Sequence, residues 1–142
     1  GMRVGFLTGP NAAMKAAIKS QANSPSHIPT FMMEAARVAL SCDDAVDSFN
    51  EEYKKRREIM IQGLSEIPGL RVGVCEGAFY AYVDITGTGM TDIEFADGAL
   101  EAGVQLIPAS LITGGEGFVR ISYAADEDQI IEGIRRLKAW LS

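Results

Sequence analysis

The sequence predicts an α+β fold: a two-layer sandwich whose small, mostly antiparallel sheet carries helices on one face, preceded by an orphan strand-helix segment and a long bent helix. Three observations carry that prediction. From about residue 65 onward the patterns run β-β-α-β-β-α, an order that suits antiparallel pairing with the helices layered on one side. A short connection around Glu76-Gly77 separates two strand-like runs, the signature of a hairpin. The closing segment sets Ile130, Ile134, Leu137 and Leu141 on one stripe at helical spacing.

Taken in order, "MRVGFLTGP" reads as a short strand ending in a Gly-Pro turn, and "NAAMKAAIKSQA" as an Ala-rich helix capped by Asn11. "NSPSHIP" punctuates it. From Thr30 to Gln62 there is neither Gly nor Pro, so a helix follows, bent or broken near "SCDD", where Ser41 and Asp44 have capping-box spacing. Beyond the break Val46, Phe49, Tyr53, Met60 and Leu64 share a side and should pack on a core. "LRVGVC" and "AFYAYVDI" are the hairpin strands. "TDIEFADGALEAG" is a helix capped by Thr91 and stopped by Gly103. "VQLIP" and "FVRISYA" are the remaining strands, separated by the glycine-rich "SLITGGEG", and the last helix starts near Asp126, where Gln129 completes capping-box spacing. Residues 1–40 form one region, with no sheet of their own for the strand to join, and 41–142 a second.

Composition narrows function mainly by exclusion. The 142 residues are 47% hydrophobic and 23% charged, the balance of a globular chain, with no apolar run of membrane-spanning length. A net charge of -6 argues against a nucleic-acid partner, since such affinity comes from a concentrated basic surface. The one basic cluster, Lys54, Lys55, Arg56 and Arg57 after Glu51 and Glu52, reads as a solvated helix face with paired charges. Cys42 and Cys75 are far apart with no metal-ligand spacing, so they read as core thiols of a cytoplasmic protein. The lone His27 sits in a turn, no P-loop or dinucleotide fingerprint is present, and no carboxylate pair suits acid/base work. What remains is two arginines in strand-like segments, Arg3 and Arg120. An arginine there either faces solvent or holds an anion, and periodicity alone favours solvent.

Four stretches, "GMRVGFLTGP", "RREIMIQGLSEIPGLRV", "GAFYAYVDI" and "GEGFVRISYAADEDQIIEGIRRL", keep the order and spacing of one family. The chain resembles the C-terminal, small-domain portion of fold-type I pyridoxal-phosphate aminotransferases of class I/II, the branch of aspartate and aromatic aminotransferases. The resemblance implies pyridoxal 5'-phosphate as cofactor, amino acids and 2-oxo acids as substrates, and a homodimer. It implies that Arg3 binds the cofactor phosphate, with Asn23 and Ser24 of the "NSP" turn as further phosphate-side residues, and that Arg120 of the V-R-x-S segment holds the substrate carboxylate. It also implies that residues 1–40 are the edge of a large domain, and that the Schiff-base lysine lies before Gly1. Lys15, Lys19, Lys54, Lys55 and Lys138 match no such motif, so the chain by itself is expected to be inactive.

Met2, Glu76 and "PASLIT" depart from the family pattern, the last in a loop that the resemblance implies borders the substrate pocket. Two alternatives stand beside this reading: a stand-alone binding module that self-associates through its exposed N-terminal segment, and a piece of another fold-type I enzyme such as a lyase or synthase.

Overall fold

The computed structural model describes residues 3–24 and 27–142. The chain divides into two compact units, residues 1–47 and 48–142.

The first unit holds helices α1 (Asn11–Ala22) and α2 (Thr30–Ala39) and the start of α3 (Asp43–Ser65). Residues 3–10 form no strand, contrary to the sequence expectation. A strand needs a ladder partner for its backbone groups, and "RVGFLTGP" has none among the described residues. Nor does Asn11 cap α1. The Pro10 carbonyl already accepts the first helical bond from Met14 N at 3.0 Å, so Pro10 is the boundary residue and Asn11 lies inside the helix. Pro29 plays the same part for α2, where its carbonyl accepts from Met33 N at 3.2 Å. The fixed φ of proline suits both positions. The long helical pattern does break at "SCDD", but not through a capping box. Ser41 Oγ turns back to donate to Val38 O at 2.7 Å, and the Cys42 carbonyl receives the first bond of α3. Asp43 and Asp44 occupy the first turn of α3, where their charge complements the helix dipole.

In the second unit, strands β1 (Arg71–Val72), β2 (Tyr80–Asp84), β3 (Ile107–Pro108) and β4 (Phe118–Ser122) form one sheet in the order β1-β2-β4-β3, antiparallel throughout. The hairpin expected around Glu76 exists, with β1 paired to β2 by Arg71↔Asp84 and Val72↔Val83; its connection spans residues 73–79 rather than a tight two-residue turn. Helices α4 (Asp92–Glu101) and α5 (Glu127–Trp140) complete the β-β-α-β-β-α order.

Alternation fixes the layers. Ala81 and Val83 on β2 and Val119 and Ile121 on β4 point inward, where they meet Met60 and Leu64 of α3, Phe95 and Ala99 of α4, and Ile130 and Leu137 of α5. A slip of one residue would send this whole set to the opposite face, so burial specifies the register strongly. All three helices lie on the inward face, which makes the unit the α+β sandwich the sequence predicts.

Other local signals divide. Thr91 caps α4 in a complete capping box, its hydroxyl accepting from Glu94 N at 3.2 Å while the Glu94 carboxylate accepts from Thr91 N at 2.9 Å. Gly103 ends the helix at φ +82, a left-handed conformation that glycine adopts without strain. Asp126 bounds α5 as expected, yet its side chain makes no capping bond, so the box with Gln129 is not formed. On α3, Met60 and Leu64 are buried and Tyr53 packs beside the core, whereas Val46 and Phe49 are exposed, which shortens the expected apolar stripe. Cys42 is exposed and Cys75 half-buried, so neither is the core thiol expected. The basic cluster behaves as a paired helix face: Arg56 meets Glu52 at 3.0 Å, and Lys54 and Lys55 lie 3.8 Å from Glu51 and Glu52.

Candidate functional site

The sheet face turned away from the helices is the candidate site. Because Ala81, Val83, Val119 and Ile121 point to the core, Tyr80, Tyr82 and Asp84 on β2 and Phe118, Arg120 and Ser122 on β4 point the other way. Register then sets the neighbours: Arg120 pairs with Tyr82 on one side and with Ile107 on the other.

Arg120 is half-buried, and its guanidinium carbon stands 4.2 Å from the centre of the Tyr80 ring. A cation over an aromatic face is held by the ring's quadrupole without spending its N–H donors. Among the described residues Arg120 makes neither a side-chain hydrogen bond nor an ion pair. Its planar donor fork is therefore fixed in position and still available to an anion, the arrangement a carboxylate needs for paired charge-assisted bonds.

Aromatic rings wall the site. Tyr82 and Phe118 stack with centroids 5.1 Å apart and planes 14° from parallel, and Phe79 packs on Tyr80 at 4.4 Å. The Tyr82 hydroxyl reaches Thr113 Oγ1 at 3.2 Å, which ties the sheet face to the loop after β3. Beside the rings a cleft of ≈ 510 Å³ is bordered by Tyr80, Tyr82, Phe118, Val74, Arg71 and Asp84. Arg71 does not compete for an anion there, because its guanidinium already donates to Asp84 Oδ2 at 2.6 Å. Asp84 also accepts from the Thr86 hydroxyl at 2.6 Å and the Thr86 N–H at 2.9 Å; these bonds, with Arg71 adding to them, hold its carboxyl below the usual carboxylate range.

The hairpin connection is braced from behind. Tyr123 is 1% exposed, and its hydroxyl donates to Ala78 O at 3.0 Å while its N–H donates to Phe79 O at 3.0 Å. Ala78 has φ +58, an uncommon conformation for a residue with a Cβ, so these bonds hold the backbone just ahead of Tyr80 in a conformation it would not choose. Burial pushes the Tyr123 phenol above its ordinary pKa.

The other residues singled out in the sequence lie in the first unit. Arg3 is exposed, with φ +55 and no hydrogen bond or ion pair among the described residues. Asn23 ends α1, its amide donating to Lys19 O at 2.7 Å; Ser24 is exposed, its N–H donating to Gln21 O at 3.3 Å. No hydrogen bond joins Arg3 to Asn23 or Ser24 among the described residues. Pro25 of the same turn, and Met2, fall outside the described residues. Among the described residues no cluster of His, Cys, Asp or Glu could hold a metal, and no helix is long and apolar enough to cross a membrane. Sequence reasoning missed Tyr80, Tyr82 and Phe118 as site walls. The signal was there: in "YAYVD" and "FVRIS" small and aliphatic residues alternate with aromatic and polar ones, and the second set shares a face.

Residues 1–137 match the family model described as "Aminotransferase class I and II". An "Aspartate aminotransferase" of Pyrococcus horikoshii is 36% identical over 143 residues, which cover 97% of this chain and 37% of that protein. A "Probable aspartate/prephenate aminotransferase" of Aquifex aeolicus is 34% identical over 97% of this chain and 36% of its own. The crystal structure of an aromatic aminotransferase from Pyrococcus horikoshii superposes with a TM-score of 0.88 at 33% identity, over 97% of this chain and 38% of the other. The chain thus spans little more than a third of the length of the relatives it matches.

Proposed function

Because this chain belongs to the class I and II aminotransferases, we propose that it supplies the carboxylate-binding side of an amino-acid site, with Arg120 as the residue that grips the substrate α-carboxylate. The observation that carries this is the Arg120 guanidinium, seated 4.2 Å over Tyr80 on the uncovered sheet face and unpaired among the described residues. The substrates would be an amino acid and a 2-oxo acid. The chain would act as a closing domain: its sheet face reaches the carboxylate of a substrate already bound elsewhere in the full protein. On the same reading, residues 1–40 are the edge of a large domain and 41–142 the small domain.

The family's cofactor, pyridoxal 5'-phosphate, supplies an electron sink and an amino-group carrier when bound. The residues here fit only its phosphate end. Arg3 is an exposed guanidinium without an acidic partner among the described residues, suited to phosphate oxygens, with Asn23 and Ser24 as secondary donors. The ring end finds no anchor: Lys54, Lys55 and Lys138 are paired with Glu51, Glu52 and Glu66, and Lys15 and Lys19 lie exposed on α1. The isolated chain should therefore not transaminate. Incubation with pyridoxal phosphate and an amino acid, followed by borohydride trapping, tests this; a stoichiometric adduct at one lysine accompanied by turnover would refute it. In the full protein, Arg120→Ala should raise KM for carboxylate substrates far more than it weakens cofactor binding. Equal loss of both would show that Arg120 is misassigned.

A second reading is favoured by one feature of the first unit. Neither α1 nor α2 buries a residue, and Phe6 and Leu40 are 80% and 69% exposed, beside a groove lined by Val4, Ile28, Met32 and Met33. Such surface is normally covered, and self-association, as in a homodimer, would cover it. Sedimentation velocity decides: a stable monomer at micromolar concentration counts against it.

A further inference from the structure

Among the described residues Asp92 is the one buried charged side chain, 2% exposed, and the proposed reaction gives it no task. It lies in the first turn of α4, just after Thr91, where the helix N-terminus favours a negative charge. Its Oδ2 accepts a 2.8 Å hydrogen bond from Ser110 N, eighteen residues on, in the one-turn 3₁₀ helix Ala109–Leu111 that follows β3. The Ser110 hydroxyl is buried without a hydrogen-bond partner, so the backbone bond is the link between α4 and this loop.

From Ser110 the structure leads to the site in two short steps. The Ala109 carbonyl accepts from Thr113 N at 2.8 Å and from Thr113 Oγ1 at 3.2 Å, which closes the loop on itself. Thr113 Oγ1 meets the Tyr82 hydroxyl at 3.2 Å, and Tyr82 is the cross-strand neighbour of Arg120, its ring stacked on Phe118. Loop 109–113 thus has two attachments of different kinds: a buried carboxylate at its start and an aromatic hydroxyl of the sheet face at its end.

Resting on the carboxylate reading of Arg120, we infer that Asp92 is a positioning residue for substrate binding: by latching the Ser110 N–H it holds loop 109–113 where Thr113 fixes Tyr82 beside the Arg120 guanidinium. An acceptor oxygen, more than a charge, is what this role requires, so asparagine should replace it and alanine should not.

The test uses the full ¹⁵N-labelled chain titrated with 3-phenylpropionate, a carboxylate with no amino group, and reads affinity from amide shifts. Asp92→Ala should weaken binding about tenfold, the worth of one net hydrogen bond, and shift the amides of Ser110, Thr113 and Tyr82 before any probe is added. Asp92→Asn should bind within about threefold of wild type, since its Oδ1 still accepts from Ser110. Thr113→Val, which leaves Asp92 and the core untouched, should weaken binding similarly, and adding it to Asp92→Ala should cost little more, as expected of two links in one chain. Wild-type affinity in Asp92→Ala or in Thr113→Val overturns the inference, as does an asparagine variant that falls with alanine. If Asp92→Ala does not fold, Thr113→Val alone decides. Arg120→Gln separates the two levels: unchanged affinity there, or no binding by wild type, refutes the carboxylate reading and the inference with it, whereas loss in Arg120→Gln with an unaffected Asp92→Ala refutes only the latch.

Discussion

Replacing Tyr123 with phenylalanine removes a single oxygen from the brace behind the site. The hydroxyl is buried and donates to Ala78 O at 3.0 Å, so the change leaves that carbonyl without its partner while the ring keeps its place against Tyr53. A lost hydrogen bond of this kind is worth about 1–2 kcal/mol once the stranded acceptor is counted. For a unit of this size that lowers Tm by roughly 5–10 °C. Thermal melts followed by circular dichroism measure it directly. The same group makes a pH prediction. Its pKa is raised in the fold by burial, so the stabilisation is complete below about pH 10, where the unfolded phenol is still protonated, and is lost as pH rises through the higher folded value. Alkaline destabilisation should therefore be smaller in Tyr123→Phe than in wild type. Equal Tm for the two proteins, or an identical loss of stability above pH 10, would refute the assignment of Tyr123 as a buried donor.

Three further outcomes are expected. Gly98→Ala sets a Cβ into the Trp140 ring at Cζ2; the gain in helix propensity of about 1 kcal/mol should be outweighed by overpacking of about 1–3 kcal/mol, lowering Tm and shifting the fluorescence of the single tryptophan. A higher Tm would show that the ring moves aside freely. Glu132 accepts from Arg135 and Arg136, and these bonds bring its pKa from the ordinary 4.5 down to about 2. A lowered folded pKa gives stability that is present above 4.5 and lost as pH falls towards 2, so Glu132→Gln should flatten the acid limb of a Tm-against-pH curve over that window. Arg120→Ala should cost no more than about 1 kcal/mol of stability, a Tm loss of roughly 5 °C at most, because among the described residues its guanidinium makes only the cation–π contact with Tyr80. A large loss of stability would mean that its stacking on Tyr80 is structural.

What could be read from the chain alone was whatever local chemistry dictates. Period-two alternation in "YAYVD" and "FVRIS" and the helical stripe of Ile130 and Leu137 determined the second unit, because burying one face leaves few registers. Thr91 and Gly103 were legible as helix ends for the same reason, a side-chain oxygen and a left-handed backbone being local needs. The Arg120 assignment was legible only through family resemblance; periodicity says that it leaves the core, not what it faces. Tertiary structure decided the rest. Capping by Asn11 and Ser41 failed where a neighbouring backbone carbonyl or a competing bond took the role, and Asp126 bounds α5 without a side-chain bond. The strand expected over residues 3–10 did not form because a strand is defined by its partner, and none of the described residues pairs with this segment. The placing of Arg120 over Tyr80 and the latch from Asp92 to Ser110 are likewise long-range, set by the sheet register and by the packing of α4 against the loop after β3. Spacing along the chain fixes which faces are buried, but a site is made of residues from different elements on the face left over, and only the assembled sheet brings those together.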